Sequence, residues 1–318
     1  MIGTTLNSII RADGSPKYSM FSMVAGAILN TILDPIFIFA FHKGVEGAAI
    51  ATVISQILTF ILNVAYVKKF KSIKLTKESL KLKVNVCKKI VMLGISSFIT
   101  QMSIVCVMTA ENNLLGKYGA DSKYGAEIPI TVLGIVMKIN QILNSIIIGI
   151  AAGSQPILGY NYGAKKYSRI KEGHWRIPLC SGLITLSFGL FFIMIHKPII
   201  RFFSSDEMVL MYASRHVIVM LLSQWFYAIF NCIISIVNGT GKVRYTTIVN
   251  ILMLWAVRIP SAYIINRYFD GTWVMLCFPI SFSFGMFAMI GYYLFSPAWK
   301  EVMRLAENKQ NEGEQNLA

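Results

Sequence analysis

Apolar residues in this chain run in long blocks, separated by short stretches where lysines, glycines and polar residues collect. Crossing ~30 Å of hydrocarbon at ~1.5 Å per residue takes roughly 20 residues. Eight blocks are long enough: 18–41, 45–67, 88–116, 128–151, 175–200, 209–237, 244–268 and 273–296. Glycines lie inside several of them, and the roughly ten-residue alternation of a membrane barrel is absent, so the blocks predict helices. The expected fold class is an all-α polytopic membrane protein with eight transmembrane helices. Composition agrees, since 55% of the 318 residues are hydrophobic, only 14% are charged and the mean hydropathy is +0.59.

The net charge of +15 raises the question of a nucleic-acid partner, and the placement of the basic residues answers it. With the start of the first helix in the cytoplasm, twenty-one of the thirty basic residues fall in inside loops and ends, nine of them lysines between 68 and 89, and six fall outside. The remaining three, Lys138, Arg215 and Arg258, fall within helices. A bias that alternates loop by loop is a topology signal. It predicts a multi-pass protein of the cytoplasmic membrane with a cytoplasmic C-terminus, no nucleic-acid partner, and a lysine-rich linker at anionic headgroups of the bilayer. The five cysteines show no CxxC pair, and His42, His174, His196 and His216 show no ligand spacing. No metal site is expected, and no cleaved signal peptide.

The stretch DGSPKYSM at 13–20 matches TGKVRYTT at 240–247. At a constant offset Gly14 aligns with Gly241, Lys17 with Arg244, Tyr18 with Tyr245 and Gly44 with Gly271. Both stretches open a helix entering from the inside, which describes a parallel repeat of the kind that builds two-lobed transporters. Four helices precede the second copy, whereas only MIGTTLNSII precedes the first. The repeat therefore implies four further helices in a first lobe, and an incomplete chain is expected.

Ionisable residues at membrane depth are costly and each needs a reason. Asp34 lies seven residues before the outer end of its block, about 10 Å deep at the helical rise. Pro35 lacks the N–H that would bond the Thr31 carbonyl, which predicts a small oxygen-rich kink. Asp34 is either a proton or cation site or a structural bridge to a neighbouring helix. The third block carries Ser96, Ser97, Thr100, Gln101, Ser103 and Thr109, a polar side for a cavity or a neighbouring helix. Glu111, near the outer end of that block, fits a snorkelling surface glutamate or an ion-coupling carboxylate. Gly134, Lys138, Gln141 and Ser145 form one stripe of the fourth block, with Lys138 about 15 Å deep. A lysine there calls for a carboxylate partner, Glu111 or Asp34. Gln224, Trp225, Phe226, Tyr227, Phe230 and Asn231 are either an aromatic wall for a flat organic cation or ordinary packing. The small residues of GVEGAAIATVISQ permit close helix approach.

RADGSPKYSM, ILNTILDPIFI, GVEGAAIATVISQ, GISSFITQMSIV, GIVMKINQI and above all GSQPILGYNYGAKKYSR resemble the MATE (multidrug and toxic compound extrusion) transporters, nearest to their MepA-type branch. The resemblance covers essentially the whole chain. It implies twelve helices in two six-helix lobes, of which this chain would hold helices 5–12. Residues 1–67 would be the remnant of the N-lobe (the end of helix 4, then helices 5 and 6). Residues 68–87 would be a basic cytoplasmic linker, 88–298 the C-lobe (helices 7–12) and 299–318 a cytoplasmic polar tail. Asp34 matches the family's acidic position in helix 5, and Lys138 the lysine of MKxNQ. Ser96 stands where many relatives have a proline, and Gln101 is the nearby polar residue where they have a glutamate, so a sodium site does not carry over.

The expected function is ion-coupled export of organic cations or drugs by alternating access, with H+ or Na+ as coupling ion, no other cofactor, no enzymatic activity and no obligate protein partner. Asp34 and Glu111 are the candidate ion-coupling or substrate carboxylates and Lys138 their charge partner. Thr100, Gln101, Gln141, Asn144, Ser145, Trp225 and Asn231 are the candidate cavity lining, with Pro35 at the helix kink. Two alternatives stand beside it. A lipid-linked saccharide flippase of the same superfold would need several unpaired basic groups, such as Arg258 and Arg215, facing the cavity. The other is a non-transporting truncated product.

Overall fold

All eight apolar blocks form helices long and apolar enough to cross a membrane, although several helices outrun the blocks that announce them. The computed structural model describes residues 2–71, 83–120, 125, 127–268, 273–296, 299–301 and 303–305. Among these there is no strand. Gly271, the middle of the basic linker and the tail beyond 305 lie outside the described residues. The chain divides into two compact units, Met1–Val84 and Asn85–Ala318.

The first unit contains α1 (Ile2–Ala12), α2 (Pro16–Pro35), which continues as a π-helix over Ile36–Ala40, and α3 (Gly44–Val67). Its packing inverts the pattern of a soluble protein. On α2 the buried positions are Ser19, Ser22 and Gly26, whereas Met20, Phe21, Val24, Ile28 and Ile32 face outward. Lipid tails are as apolar as leucine, so helices associate through small residues and hydrogen bonds instead. The Asn7 amide donates to Ser19 O at 2.9 Å and Ser22 Oγ at 3.2 Å, Ser19 Oγ returns a bond to Asn7 Oδ1 at 2.7 Å, and Tyr18 Oη reaches Leu62 O at 2.8 Å. Asp13 Oδ2 accepts from Tyr66 Oη at 3.0 Å and from the Lys71 backbone N–H at 2.9 Å, fastening the end of α3 to the α1–α2 corner.

The second unit contains α4 (Val84–Ala120), α5 (Glu127–Gly163), α6 (Tyr167–Met194), the short α7 (His196–Phe203) and α8 (Glu207–Gly239). Then follow α9 (Val243–Ile251), a π-helical stretch over Leu252–Arg258, α10 (Ile259–Tyr268) and α11 (Cys277–Phe295). Helix α8 is the axis of this unit, packed on α5, α6 and α11, with Ala228, Cys232, Ile233, Ile236 and Val237 wholly buried. Asp206 caps its start, Oδ1 accepting from Met208 N at 2.8 Å, and satisfies one of the orphan donors of the first turn. At its end Gly239 lies against α5 so closely that a Cβ there would stand 2.8 Å from Gln155 O, and one on Gly159 would stand 2.9 Å from Gly239 O. The QPILGYNYG motif is thus the place where two helix backbones touch.

The sequence repeat has a structural counterpart. Gly14 and Gly241 both hold φ +81°, in the left-handed region. Gly14 N donates to Arg11 O at 3.3 Å and Gly241 N to Asn238 O at 2.9 Å. Ser15 N donates to Ile10 O at 3.2 Å and Lys242 N to Val237 O at 3.3 Å. Pro16 and Val243 open the helices that follow, so the same corner recurs at the same offset in both units.

Helix ends depart from the block ends. Helix α4 continues to Ala120 instead of stopping at 116, α5 to Gly163 instead of 151, and α6 begins at Tyr167 instead of 175. Hydropathy marks where the hydrocarbon ends, and the helical ladder runs on into polar residues that lose nothing by it. The block at 175–200 breaks at Ile195, where φ −108° and ψ 16° leave the helical region and separate α6 from α7.

Candidate functional site

Helix α4 meets its unit along one stripe, Ser103, Val107, Glu111 and Leu115, all buried and each four residues from the next. That spacing places them on one face. Glu111 is only 2% exposed and Arg258, at the end of the π-helical stretch, 7%. The two are bidentate: Arg258 Nε donates to Glu111 Oε1 at 2.5 Å and Nη2 to Oε2 at 3.0 Å. Cys277 Sγ, at the start of α11, donates to Oε1 at 3.6 Å, and the guanidinium carbon lies 3.7 Å over the Phe278 ring. Three helical segments therefore fix one ion pair. A π-helical stretch, with its wider turn, is a frequent feature of functional sites.

Removing two charges from water is costly, and a fork-to-carboxylate geometry with further hydrogen bonds is the arrangement that offsets the cost. The pair carries no net charge. It lies within two membrane-length helical spans, Glu111 in Val84–Tyr118 and Arg258 in Val243–Tyr268.

Two cavities flank the pair. One of about 260 Å³ is lined by Met108, Glu111, Asn112, Ile130, Leu133, Gly134 and Met137. The other, about 150 Å³, has Arg258 in its wall with Asn140, Asn144, Tyr227 and Asn250 among apolar neighbours, and Met108 and Met137 border both. Asn140 Oδ1 and Asn144 Oδ1 are buried without a protein donor.

The structure gathers some of the expected site residues and disperses others. Glu111 is a buried ion-pair member and not a snorkelling surface group, because it falls on the buried stripe of α4, where Arg258 binds both of its oxygens. Asn144 lines the smaller cavity, and Asn231, which does not, hydrogen-bonds the side chain of Tyr227, a residue that does. Lys138 is not the partner of Glu111, whose oxygens both bond Arg258. Lys138 is exposed, its Nζ 5.2 Å from the centre of the Phe203 ring. Gly134, Gln141 and Ser145 are exposed on the same stripe, with Ser145 Oγ bonding Gln141 O at 2.9 Å. Thr100 is half-buried and bonds Ser96 O at 3.0 Å, Gln101 is exposed, and neither lines these two cavities. Trp225 packs half-buried on the core with Phe226 4.3 Å away.

In the first unit, Asp34 is half-buried and accepts from Asn30 Nδ2 at 3.1 Å. Pro35 ends α2, and the five-residue π-helix over Ile36–Ala40 takes the place of the expected kink. A Cβ on Gly47 would stand 2.6 Å from Phe37 O, so the small residues of GVEGAAIATVISQ do seat α3 against this segment. Sequence reasoning noted Arg258 without its partner and passed over Asn140, Asn250 and Cys277.

Eight membrane-length helices among the described residues, with a buried ion pair beside two cavities in the second unit, describe an all-α polytopic membrane protein. The MatE family model matches residues 96–264, more than half of the chain, and the chain belongs to that family. It is 23% identical over 319 residues to the probable multidrug resistance protein YoeA of Bacillus subtilis (strain 168), covering 94% of this chain and 65% of that one. It is 29% identical over 295 residues to the multidrug export protein MepA of Staphylococcus aureus (strain N315), covering 91% and 62%. The chain thus spans less than two thirds of the length of these relatives. An outward-facing multidrug resistance MATE family transporter of the MOP superfamily superimposes with a TM-score of 0.80 at 22% identity, over 96% of this chain and 66% of that one. A MATE structure in the bent conformation gives 0.78 at 22%, over 96% and 66%. At that identity the likeness shows the fold.

Proposed function

We propose that this chain is part of an exporter of organic cations or drugs across the cytoplasmic membrane, driven by H+ or Na+ and working by alternating access. The observation that carries it is Glu111, a carboxylate buried at membrane depth, locked to Arg258 and bordered by two cavities. A neutral pair at that depth is a two-state element: a proton or cation on Glu111 releases Arg258, and its departure restores the lock. The names of the multidrug relatives support the substrate class.

In this scheme residues 1–67 belong to an N-lobe, 68–87 to a basic inside linker, 88–298 to a C-lobe and 299–318 to an inside tail. Asp34 is the ion-coupling or substrate carboxylate of the N-lobe remnant, and Lys138 a charge that tunes the transport path lined by Thr100, Gln101, Gln141, Asn144, Ser145, Trp225 and Asn231. A saccharide flippase is disfavoured by the fate of its basic groups, since Arg258 is neutralised by Glu111 and Arg215 is exposed. The test is ethidium efflux from cells making the protein, measured for the native sequence and for Glu111→Gln, Asp34→Asn and Lys138→Ala. Efflux is expected to fall at least tenfold in the carboxylate variants. Efflux at the native rate in Glu111→Gln removes the central element of the scheme.

A further inference from the structure

Hydrogen-bond donors face the smaller of the two cavities, and among its described lining residues there is no carboxylate. Arg258 Nε and Nη2 bind Glu111, which leaves Nη1 as the donor that Arg258 brings to the cavity wall. Phe278, whose ring the guanidinium covers, lines the same cavity. Asn140 and Asn144 stand one turn apart on α5; their oxygens are sealed off, and their amide nitrogens are the polar atoms they offer the cavity. Asn140 is 5% exposed and Arg258 7%, so these donors are held away from bulk water. The carboxamide acceptor of the lining is Asn250 Oδ1, since Asn250 Nδ2 is committed to Thr246 O at 3.0 Å. It lies two helical turns from Arg258 along the same span.

We infer that the smaller cavity is a site for a short monocarboxylate that binds together with a proton on Glu111, its carboxylate held by Arg258 Nη1 and the amide nitrogens of Asn140 and Asn144. The inference goes beyond the export reading and shares with it only the proton on Glu111. Buried donors call for an acceptor, and N–H groups beside a guanidinium suit a carboxylate. One guanidinium compensates one charge, so the guest is a monoanion. Ile104, Met253, Leu254 and Phe282 complete the wall with apolar surface for a hydrocarbon body. The volume, about 150 Å³, is that of an apolar cavity able to take benzene, which limits the guest to a short chain.

While Glu111 is ionised it holds the charge of Arg258 and repels a second carboxylate. With a proton on Glu111 the guanidinium is uncompensated, and the guest replaces Glu111 as its counter-ion. The other titratable groups that face the pair are Cys277 on α11 and Tyr227 on α8, which ordinarily ionise only above about pH 8. Lys138 on α5 is exposed and lies against Phe203. Glu111 is therefore the group that takes up the proton.

The test is displacement of radiolabelled butyrate from the 318-residue protein in lipid nanodiscs, with empty nanodiscs as baseline. Butyramide is the uncharged match. At about pH 6 butyrate is expected to bind at least tenfold tighter than butyramide, the worth of one charge-assisted hydrogen bond. Uptake of one proton makes that affinity fall by about tenfold for each unit between about pH 6 and 8. Butyrate and butyramide binding equally at pH 6, or an affinity flat in pH, overturns the inference in the native protein without any variant having to fold. Glu111→Gln is expected to bind butyrate tightly with no dependence on pH, and Arg258→Met to lose the preference over butyramide. A preference that persists in Arg258→Met overturns the inference. Chloride displacing butyrate as well as unlabelled butyrate does assigns the donors to a halide and also overturns it. Ethidium efflux reads the export scheme separately. Efflux that falls in Glu111→Gln, with no butyrate preference in the native protein, removes the carboxylate site alone. Efflux at the native rate in that variant, with pH-dependent butyrate binding in the native protein, removes the export scheme alone.

Discussion

Glu111→Gln and Arg258→Met break the same contact, yet they are expected to cost different amounts, and the difference tests the account of the ion pair. Both side chains are under a tenth exposed, so whichever partner remains is stranded away from water. Removing one member of a buried pair costs about 3–5 kcal/mol, whereas replacing both with apolar groups of similar volume is often neutral or stabilising by about 1–4 kcal/mol. A stranded carboxylate can take up a proton; a stranded guanidinium cannot lose one. In Glu111→Gln the guanidinium keeps the Phe278 face, worth about 2 kcal/mol when desolvated, and loses its counter-ion. The expected order of destabilisation is therefore Glu111→Gln near the top of that range, Arg258→Met below it, and Glu111→Leu with Arg258→Met smallest, giving a coupling energy of about 2 kcal/mol or more. Reversible denaturant unfolding in mixed micelles, followed by tryptophan fluorescence, supplies the four corners of the cycle. Single variants within about 0.5 kcal/mol of the native protein, or a double variant as unstable as the sum of the singles, would refute the claim that the pair is buried and mutually dependent.

Two smaller predictions concern the backbone. Gly239→Val should destabilise by about 1–3 kcal/mol through overpacking, because the new Cβ meets Gln155 O; Gly134→Ala, where nothing lies within 4 Å of the added Cβ, should be close to neutral, and thermal unfolding of the two side by side checks both. Gly14→Ala and Gly241→Ala should each cost about 1–2 kcal/mol from left-handed strain alone, since neither added Cβ would touch anything. Equal losses are expected, and a loss at one position only would show that the two corners are not equivalent.

The helices were legible because their cause is one-dimensional: a block too apolar for water and long enough for the bilayer. The corner at Gly14 and Gly241 was legible for a similar reason, since a left-handed residue between two helices leaves a local signature that can be matched against itself. Helix ends were less so, because Gln155, Asn161 and Tyr162 continue α5 into polar surroundings where hydropathy carries no information. The pairing of Glu111 with Arg258 spans 147 residues, and nothing local in either block distinguishes Arg258 from Lys138 as the partner. Register decides it: Glu111 falls on the one buried stripe of α4, and Lys138 on the exposed stripe of α5, so the lysine fails in direction.

The repeat gives that asymmetry a meaning. The corner recurs with the same φ and the same two backbone bonds in both units, so it is what the shared architecture requires. The charges do not recur. At the repeat offset Asp34 corresponds to Ser261, whose hydroxyl bonds Arg258 O at 2.9 Å, and Arg258 corresponds to Thr31, whose hydroxyl bonds Ala27 O at 3.0 Å. In each unit a hydroxyl returning to its own helix suffices for the fold where the other unit carries an ionisable group. Folding alone thus accounts for neither Asp34 nor Arg258, and Glu111 is buried only because Arg258 is there to receive it. If both charges served packing, exchanging each for its repeat counterpart, Asp34→Ser and Arg258→Thr with Glu111→Gln, should leave transport intact while stability is retained; in an ion-coupled exporter that exchange should abolish efflux and leave the protein in the membrane.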